Sequence, residues 1–361
     1  MDPTHDVDGP LGPEPVVTLV VAMRNERDHI EACLRSILDQ DYPADRIEIL
    51  VFDGGSTDGS RDVAERVLTD RPRAAVIENP RRIQAAAWNS GIDRASGDVI
   101  GIVSGHATLG RGYVRAAIDT LRRTGATMVG GPVRAIGEGI VAEAVALAVS
   151  TPFGVGGARF RYLDEEEEVD TVFMGLCRRD VYRRFPFDEE MVRNQDDELS
   201  YRILDDGGRI VCNPRIESSY RSRPTLATLW AQYFDYGFWK VRVIQKHPQQ
   251  ARIRHLVPAM LVAGLASTAV AARLWPPAAV APMGYLAAVA VASVVAGGRR
   301  SPTIVPILAL VYPILHLAYG LGFITGLIRH RRWPPGSRRS VLTALAGRTR
   351  HVGWRGRPAD R

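Results

Sequence analysis

Lysine is almost missing from this protein: Lys240 and Lys246 are its two lysines and every other basic residue is arginine, a bias that points to a G+C-rich genome and carries no chemistry. Cysteine is scarce too. Cys33, Cys177 and Cys212 are odd in number, far apart and set among apolar neighbours, which argues against a disulfide framework and for small buried residues in a reducing compartment. Zinc-type ligand spacing, an aromatic RNA-binding strand and a recognition helix are all lacking, so the net charge of +6 is not a nucleic-acid footprint. Residues 1–14 are acidic and rich in Pro and Gly, with neither a basic n-region nor an apolar h-region. We expect a disordered N-terminus, no signal peptide and a cytoplasmic soluble domain.

Charge is what residues 257–328 lack, with Arg273, Arg299 and Arg300 as the exceptions. Three apolar segments, 256–272, 278–296 and 302–328, are candidate membrane spans. About 20 apolar residues cross a bilayer, so the last is long enough and the first is marginal. Much of the basic excess lies in 329–361, where retention on the inner face and anionic lipid explain it. Three spans leading from a cytoplasmic domain would put this basic tail outside, against that tendency. Either one segment is interfacial or re-entrant or the rule is overridden, and Pro306 and Pro313 make the last segment the one expected to be irregular.

With 361 residues and 46% hydrophobic content, the protein can bury one large domain plus an appendage. Residues 16–23 (VVTLVVAM) are apolar on both faces, as in a strand buried in a parallel sheet. Ile30, Cys33, Leu34, Ile37 and Leu38 then form one helical stripe. Strands expected at 47–52, 74–77 and 99–103 alternate with helices, which implies right-handed crossovers and a mostly parallel sheet.

The stretch 47–60 (IEILVFDGGSTDGS) reads as a buried strand that delivers Asp53 to a sheet edge, with Gly54 and Gly55 allowing close approach of a ligand. The plain alternative is a strand-turn-helix in which Asp58 or Ser60 caps the next helix. The first strand ends in Arg24-Asn25-Glu26, an Ala-rich helix ends in Asn89-Ser90-Gly91, and Ser96-Gly97-Asp98 precedes the fourth strand.

With these features the first hundred residues resemble the nucleotide-sugar half of an inverting GT-A glycosyltransferase of the large bacterial polysaccharide family, and the whole sequence is similar to its succinoglycan-biosynthesis type. The resemblance implies a Rossmann-like α/β catalytic domain over 15–224, an amphipathic interfacial region over 225–255, and membrane helices over 256–328. By it, Arg24, Asn25, Glu26, Asp53, Gly54, Asn89, Ser104 and His106 would bind the donor, with Asp53 on the uracil or ribose, and Asp98 would support the sheet end. Where the family carries a metal-holding Asp-x-Asp, this sequence has Ser104-Gly105-His106. Mg²⁺ prefers hard oxygen ligands and should be weakened by that replacement, whereas Mn²⁺ tolerates imidazole better; the resemblance to the succinoglycan type implies that His106 is a donor-site contact or holds the divalent metal (Mn²⁺ or Mg²⁺). The plain reading is that His106 caps a loop. If the metal is weak, Arg24, Arg81 and Arg82 are there to offset diphosphate charge.

Further along, five acidic residues at 164–168 read as a solvated loop, and Gly175 as a small-residue turn beneath the acceptor. The stretch 194–202 (NQDDELSYR) matches the family's Glu-Asp motif with Gln195 in place of the Glu. Asp196 then takes the general-base position and Asp197 is its neighbour; the plain reading is helix N-terminal capping. Gln232, Trp239 and Lys240 loosely resemble a motif that closes over donor and acceptor, on an aromatic-rich helix that also suits a membrane-surface anchor. The implied function is transfer from a UDP-sugar to a polyprenyl-linked or other lipid-linked acceptor at the cell membrane, with the catalytic domain cytoplasmic. The alternatives are a polyprenyl-phosphate sugar synthase and a catalytically silent nucleotide-sugar-binding scaffold.

Overall fold

The structure, a computed structural model, describes residues 9–298 and 300–332. Residues 1–8, Arg299 and most of the basic tail, 333–361, lie outside the described residues. The protein divides into two compact units. The first takes in the described residues up to Thr225 together with Ala296–Leu308; the second takes in Leu226–Val295 and the described residues from Ala309 onward.

The first unit begins with β1 (Val17–Met23), α1 (Ile30–Leu38), β2 (Ile47–Asp53), α2 (Ser60–Val67), β3 (Ala74–Glu78), α3 (Gln84–Arg94) and β4 (Val99–Ser104). This is the expected alternation, and β1 pairs in parallel with both β2 and β4. After it come β5 (Ala107–Leu109), α4 (Tyr113–Thr124), β6 (Met128–Gly131), β7 (Val133–Ile136), α5 (Ile140–Ala148) and α6 (Pro152–Val155). The unit continues through β8 (Glu167–Glu168), β9 (Phe173–Arg178), α7 (Arg179–Arg184), α8 (Gln195–Asp205), β10 (Ile210–Cys212) and β11 (Ser218–Arg221). The main sheet has the order β3-β2-β1-β4-β9-β6-β10-β8, and β5-β11-β7 form a second, three-stranded sheet.

Every residue of β1 is buried, because successive side chains enter cores on opposite faces of the sheet. Val17, Leu19, Val21 and Met23 pack with Ile30, Leu34 and Ile37 of α1, while Val20 and Ala22 pack with Trp88 and Ile92 of α3 and Leu199 of α8. Each fully buried Val, Leu or Ile contributes about 1.5–3 kcal/mol, and this is what the continuous apolar runs supply. At the start of β4 the Asp98 carboxylate accepts the Val16 N–H at 3.1 Å, a support for the sheet end. A Cβ on the neighbouring Gly97 would stand 2.6 Å from the Thr18 nitrogen. Gly97→Ala should therefore destabilise the first unit by about 1–3 kcal/mol, read as a lowered denaturation midpoint; an unchanged midpoint would contradict the packing described.

The three cysteines are free and buried, as expected. Burial pushes the Cys33 and Cys212 thiols up to about 12 and Cys177 well above its ordinary value.

Three expectations are corrected. The acidic run is a solvated loop only in part: residues 164–166 are exposed and outside any strand, but Glu167 and Glu168 form edge strand β8 against β10, and Glu166, Glu167 and Glu168 pair with Arg123, Arg159 and Arg209. Arginines brought close by the fold neutralise carboxylates that repel one another in the linear sequence. Residues 9–14 are held in place, with the Gly9 carbonyl accepting from Arg178 at 2.8 Å and Glu14 paired with Arg115. The last apolar segment is regular, because Pro306 falls in the first turn of its helix and Pro313 is tolerated inside it.

The second unit is helical: α9 (Leu226–Lys246), α10 (Ile253–Ala271), α11 (Val280–Gly297) and α12 (Val305–Arg329), whose first turn belongs to the first unit. The segments Ile253–Ala271, Pro276–Gly297 and Pro302–Arg329 are each long and apolar enough to cross a membrane.

Candidate active site

Three parallel strands end side by side at one edge of the main sheet. Met23 of β1 lies opposite Asp53 of β2, and Ala22 lies opposite Ser104 of β4. The residues that follow, Arg24-Asn25-Glu26, Gly54-Gly55 and Gly105-His106, therefore share that edge. β9 runs antiparallel to β4, so its first residues arrive there as well.

The turn after β2 is clamped onto the turn after β1. The Ser56 N–H and hydroxyl both donate to Asp53 Oδ1, at 3.0 and 2.6 Å. Asn25 N–H donates to Ser56 Oγ, Thr57 N–H donates to Asn25 Oδ1, and Glu26 N–H donates to Ser60 Oγ, at 2.9, 2.9 and 2.7 Å. Asp58 accepts from Arg27 N–H and from the Ser60 hydroxyl; the hydroxyl is the larger influence holding its carboxyl below the usual range. That part of the clamp is present at neutral pH and is lost as pH falls through the lowered value. Asn25 thus serves the clamp. Asp53 is 3% exposed, and its Oδ2 accepts no hydrogen bond among the described residues.

Gly55 has φ of +75°, and the Arg82 Nε would stand 3.2 Å from a Cβ there, so this guanidinium lies over the turn. The Arg24 side chain lies against Gly54. Arg81, by contrast, is paired with Glu189. Asn25, Arg82, Met174 and Asn194 are four of the five non-glycine residues with positive φ among the described residues, and all four belong to segments bordering this edge. Strain of that kind collects where a site must be held in one shape.

Glu26, Ser104 and His106 converge. His106 Nδ1 is 2.9 Å from Glu26 Oε1 and 3.3 Å from the Ser104 hydroxyl. Neighbouring ligands of one octahedral cation stand about 3 Å apart when each bond is about 2.1 Å, so this carboxylate, imidazole and hydroxyl fit a shared divalent ion. The imidazole favours Mn²⁺ over Mg²⁺. No group of three or more His, Cys, Asp and Glu side chains suited to a metal occurs among the described residues. Sequence reasoning placed Glu26 in the donor site but missed it as the carboxylate beside His106; the signal was the adjacency of the β1 and β4 ends.

α8 follows Asn194 and carries Asp196 and Asp197, both half-buried, in its first turn. Asp197 N–H donates to Asp196 Oδ1 at 3.0 Å. Ser200 is four residues on from Asp196 and so shares its face of the helix; its hydroxyl donates to Thr171 Oγ1, just ahead of β9, at 3.1 Å. The loop before α8 is tied to α3. Asn89 Nδ2 donates to the Phe187 carbonyl and to Glu189, and Asn89 Oδ1 accepts the Phe187 N–H, at 2.9, 2.9 and 2.8 Å. The Trp88 and Phe187 rings pack beside this link with centroids 4.7 Å apart and planes tilted by 45°. These ties carry the Asp196 face of α8 toward the edge where β4 ends and β9 begins.

Several expected site residues have other surroundings. Asn89 holds the 187–189 loop, because both ends of its amide are engaged there. Gly175 is not in a turn but inside β9, its carbonyl accepting from Tyr182 at 2.6 Å, and a Cβ there would meet Met128 Sδ at 2.7 Å. Gln232, Trp239 and Lys240 lie on α9 in the second unit. Gln232 donates to the Tyr236 hydroxyl at 2.9 Å, the Trp239 ring is 6.1 Å from that of His330, and Lys240 is buried.

Comparison with known proteins bears on this arrangement. Residues 18–185 match the model of Glycosyl transferase family 2. Over 320 residues, 87% of this protein and 96% of the relative, the sequence is 31% identical to the succinoglycan biosynthesis protein ExoA of Rhizobium meliloti (strain 1021). It is 30% identical over 239 residues, 64% of this protein and 74% of the relative, to the dolichyl N-acetyl-alpha-D-glucosaminyl phosphate 3-beta-D-2,3-diacetamido-2,3-dideoxy-beta-D-glucuronosyltransferase of Methanococcus voltae. Among solved structures, the mannosyltransferase PcManGT from Pyrobaculum calidifontis, in complex with GDP-Man and Mn²⁺, gives a TM-score of 0.49 at 18% identity, covering 96% of this protein and 84% of that one. With a relative matched over nearly the full length of both proteins and the family model matched across the strand-end residues, this protein belongs to glycosyl transferase family 2 and is a glycosyltransferase with a GT-A catalytic domain.

Proposed function

We propose that the protein is an inverting glycosyltransferase that moves a sugar from a UDP-linked donor to a lipid-linked saccharide in the synthesis of a polysaccharide or envelope glycan. What supports this is the convergence at one sheet edge of Asp53 and the Glu26–Ser104–His106 cluster, with α8 tied through Ser200 to Thr171 just ahead of β9. Asp53 Oδ2 accepts from the uracil or ribose of the donor, in the crevice beyond the strand ends. Arg24 and Arg82, over the Gly54-Gly55 turn, face the diphosphate charge as the bond to the anomeric carbon breaks. Asp196 takes the proton of the acceptor hydroxyl as its oxygen attacks that carbon from the opposite face, and UDP leaves in the same step. Glu26, His106 and the Ser104 hydroxyl would hold a divalent cation whose chemistry is neutralisation of the departing diphosphate. Holding both substrates at one edge removes much of the entropic barrier to their meeting.

The apolar helices of the second unit and the names of the relatives, one in succinoglycan biosynthesis and one acting on a dolichyl-linked sugar phosphate, support an acceptor that resides in the bilayer. The test is UDP release from a panel of UDP-sugars by purified protein supplied with lipid extract, with the anomeric configuration of the product read by NMR. Release with inversion is expected. Transfer to a bare polyprenyl phosphate would favour the synthase reading, and donor binding without release would favour the scaffold.

A further inference from the structure

β9 carries one residue more than the strand beside it. Val129 of β6 lies opposite Leu176 and Gly131 opposite Phe173, so the ladder shifts register between them, and Met174, with φ of +52°, takes up the extra residue. This bulge sets where Phe173 points. Strict alternation would send it to the face of Cys177, into the core that holds Trp88 and Leu199. With the extra residue it keeps to the face of Met174 and Leu176 and packs on the core that includes Ala107 and Leu109.

On that face Phe173 meets Tyr220 of β11. β11 runs antiparallel to β5, and Tyr220 lies opposite Ala107, the residue that follows His106. The two ring centroids are 6.5 Å apart with planes tilted by 54°, so neither ring covers the face of the other, and both side chains are half-buried. Arg161 Nη1 donates a long hydrogen bond of 3.5 Å to the Tyr220 hydroxyl, which holds that end of the ring, and the same guanidinium lies over Phe160 at 5.4 Å. Two aromatic rings therefore border the Glu26–Ser104–His106 cluster on its β9 side, away from Asp53.

A nucleotide sugar is a linear molecule of nucleoside, diphosphate and sugar. With the nucleoside at Asp53 on β2 and the diphosphate at the ends of β1 and β4, the sugar comes next along the strand order, beside β9. One face of a pyranose ring is lined by C–H bonds with partial positive charge, which suit the negative face of an aromatic ring, while its hydroxyls need polar partners at the rim. We propose that Phe173 and Tyr220 form the subsite for the sugar ring of the donor and select it by stacking on its C–H face. This rests on the reading of the protein as a UDP-sugar transferase and adds to it the residues that recognise the transferred group.

Calorimetric titration of the full-length protein with Mn²⁺, in a detergent without a sugar headgroup, tests this with UDP, UDP-glucose, UDP-galactose and UDP-N-acetylglucosamine as the probes. For the UDP-sugar that the unmodified protein binds best, Phe173→Leu and Tyr220→Leu should each weaken binding by about threefold to tenfold, the range an aromatic contact supplies, while UDP itself stays within about twofold. Tyr220→Phe, which keeps the ring, should lose less than Tyr220→Leu. An equal loss for UDP and UDP-sugar would make the rings a structural prop and overturn the proposal, and so would unchanged affinity in both leucine variants. A raised KM for lipid extract with donor affinity intact would assign the rings to the acceptor and overturn it as well. UDP binding with none of the three UDP-sugars bound would overturn this proposal alone, whereas no binding of UDP would overturn the UDP-donor reading and the proposal with it.

Discussion

Asp196→Asn should lower kcat for sugar transfer by about 10²–10⁴, the range contributed by a positioned general base, while UDP binding stays within about twofold. The asparagine keeps the side-chain oxygen that accepts the Asp197 N–H at 3.0 Å, so the first turn of α8 should survive. What it cannot do is take a proton from an acceptor hydroxyl. Asp197→Asn, one residue on and therefore turned about 100° around the helix, should cost less than tenfold. A single-turnover assay separates the two, since it reads the chemical step apart from product release. Equal losses in both variants would mean that the pair acts by charge alone. A full rate in Asp196→Asn would remove it as the base.

The second large effect concerns the metal. Glu26→Gln and His106→Ala should each weaken Mn²⁺ binding in the presence of UDP by at least about tenfold, a lower bound set by what outer-shell partners alone are worth at metal sites. The readout is the free Mn²⁺ signal in an EPR titration, which does not require turnover. Glu26→Gln is the more informative of the two, because its amide can still hydrogen-bond His106 across the 2.9 Å contact but makes a poor ligand. If Glu26 only orients His106, Glu26→Gln should bind Mn²⁺ as the unmodified protein does. If neither substitution changes binding, cation and donor meet elsewhere, and Arg24 and Arg82 would carry the diphosphate.

The strand-helix alternation was legible because β1, β2 and β4 are apolar on both faces and the intervening helices have clear stripes. From Asp53 to Ser60 the turn was legible in outline, but the expected cap was not found: Gly59 precedes α2 with no side-chain cap, and Asp58 accepts instead from the Ser60 N–H and hydroxyl. Less visible was everything that depends on pairing distant segments. Antiparallel β9 inserted between β4 and β6 turned Gly175 from an expected turn into a strand residue packed on Met128. The arginines that neutralise residues 166–168 come from α4, the segment after α6 and the start of β10, and no local pattern announces them. Asn89 was expected at the donor through the family resemblance of the Asn89-Ser90-Gly91 helix end, and its amide bonds to a loop about 100 residues on. Glu26 and His106 are 80 residues apart and meet only because β1 and β4 are neighbours. Where a side chain's partner lies within a turn or two of helix, sequence suffices; where the partner arrives through sheet order, it does not.

Calorimetric titration of the detergent-purified protein with UDP, with and without Mn²⁺, tests the central claim most directly. A nucleotide site at the Asp53 edge with Glu26 and His106 beside it predicts saturable UDP binding that tightens when Mn²⁺ is added. No UDP binding in either condition would contradict the account, since a UDP-sugar transferase must hold the nucleotide portion of its donor.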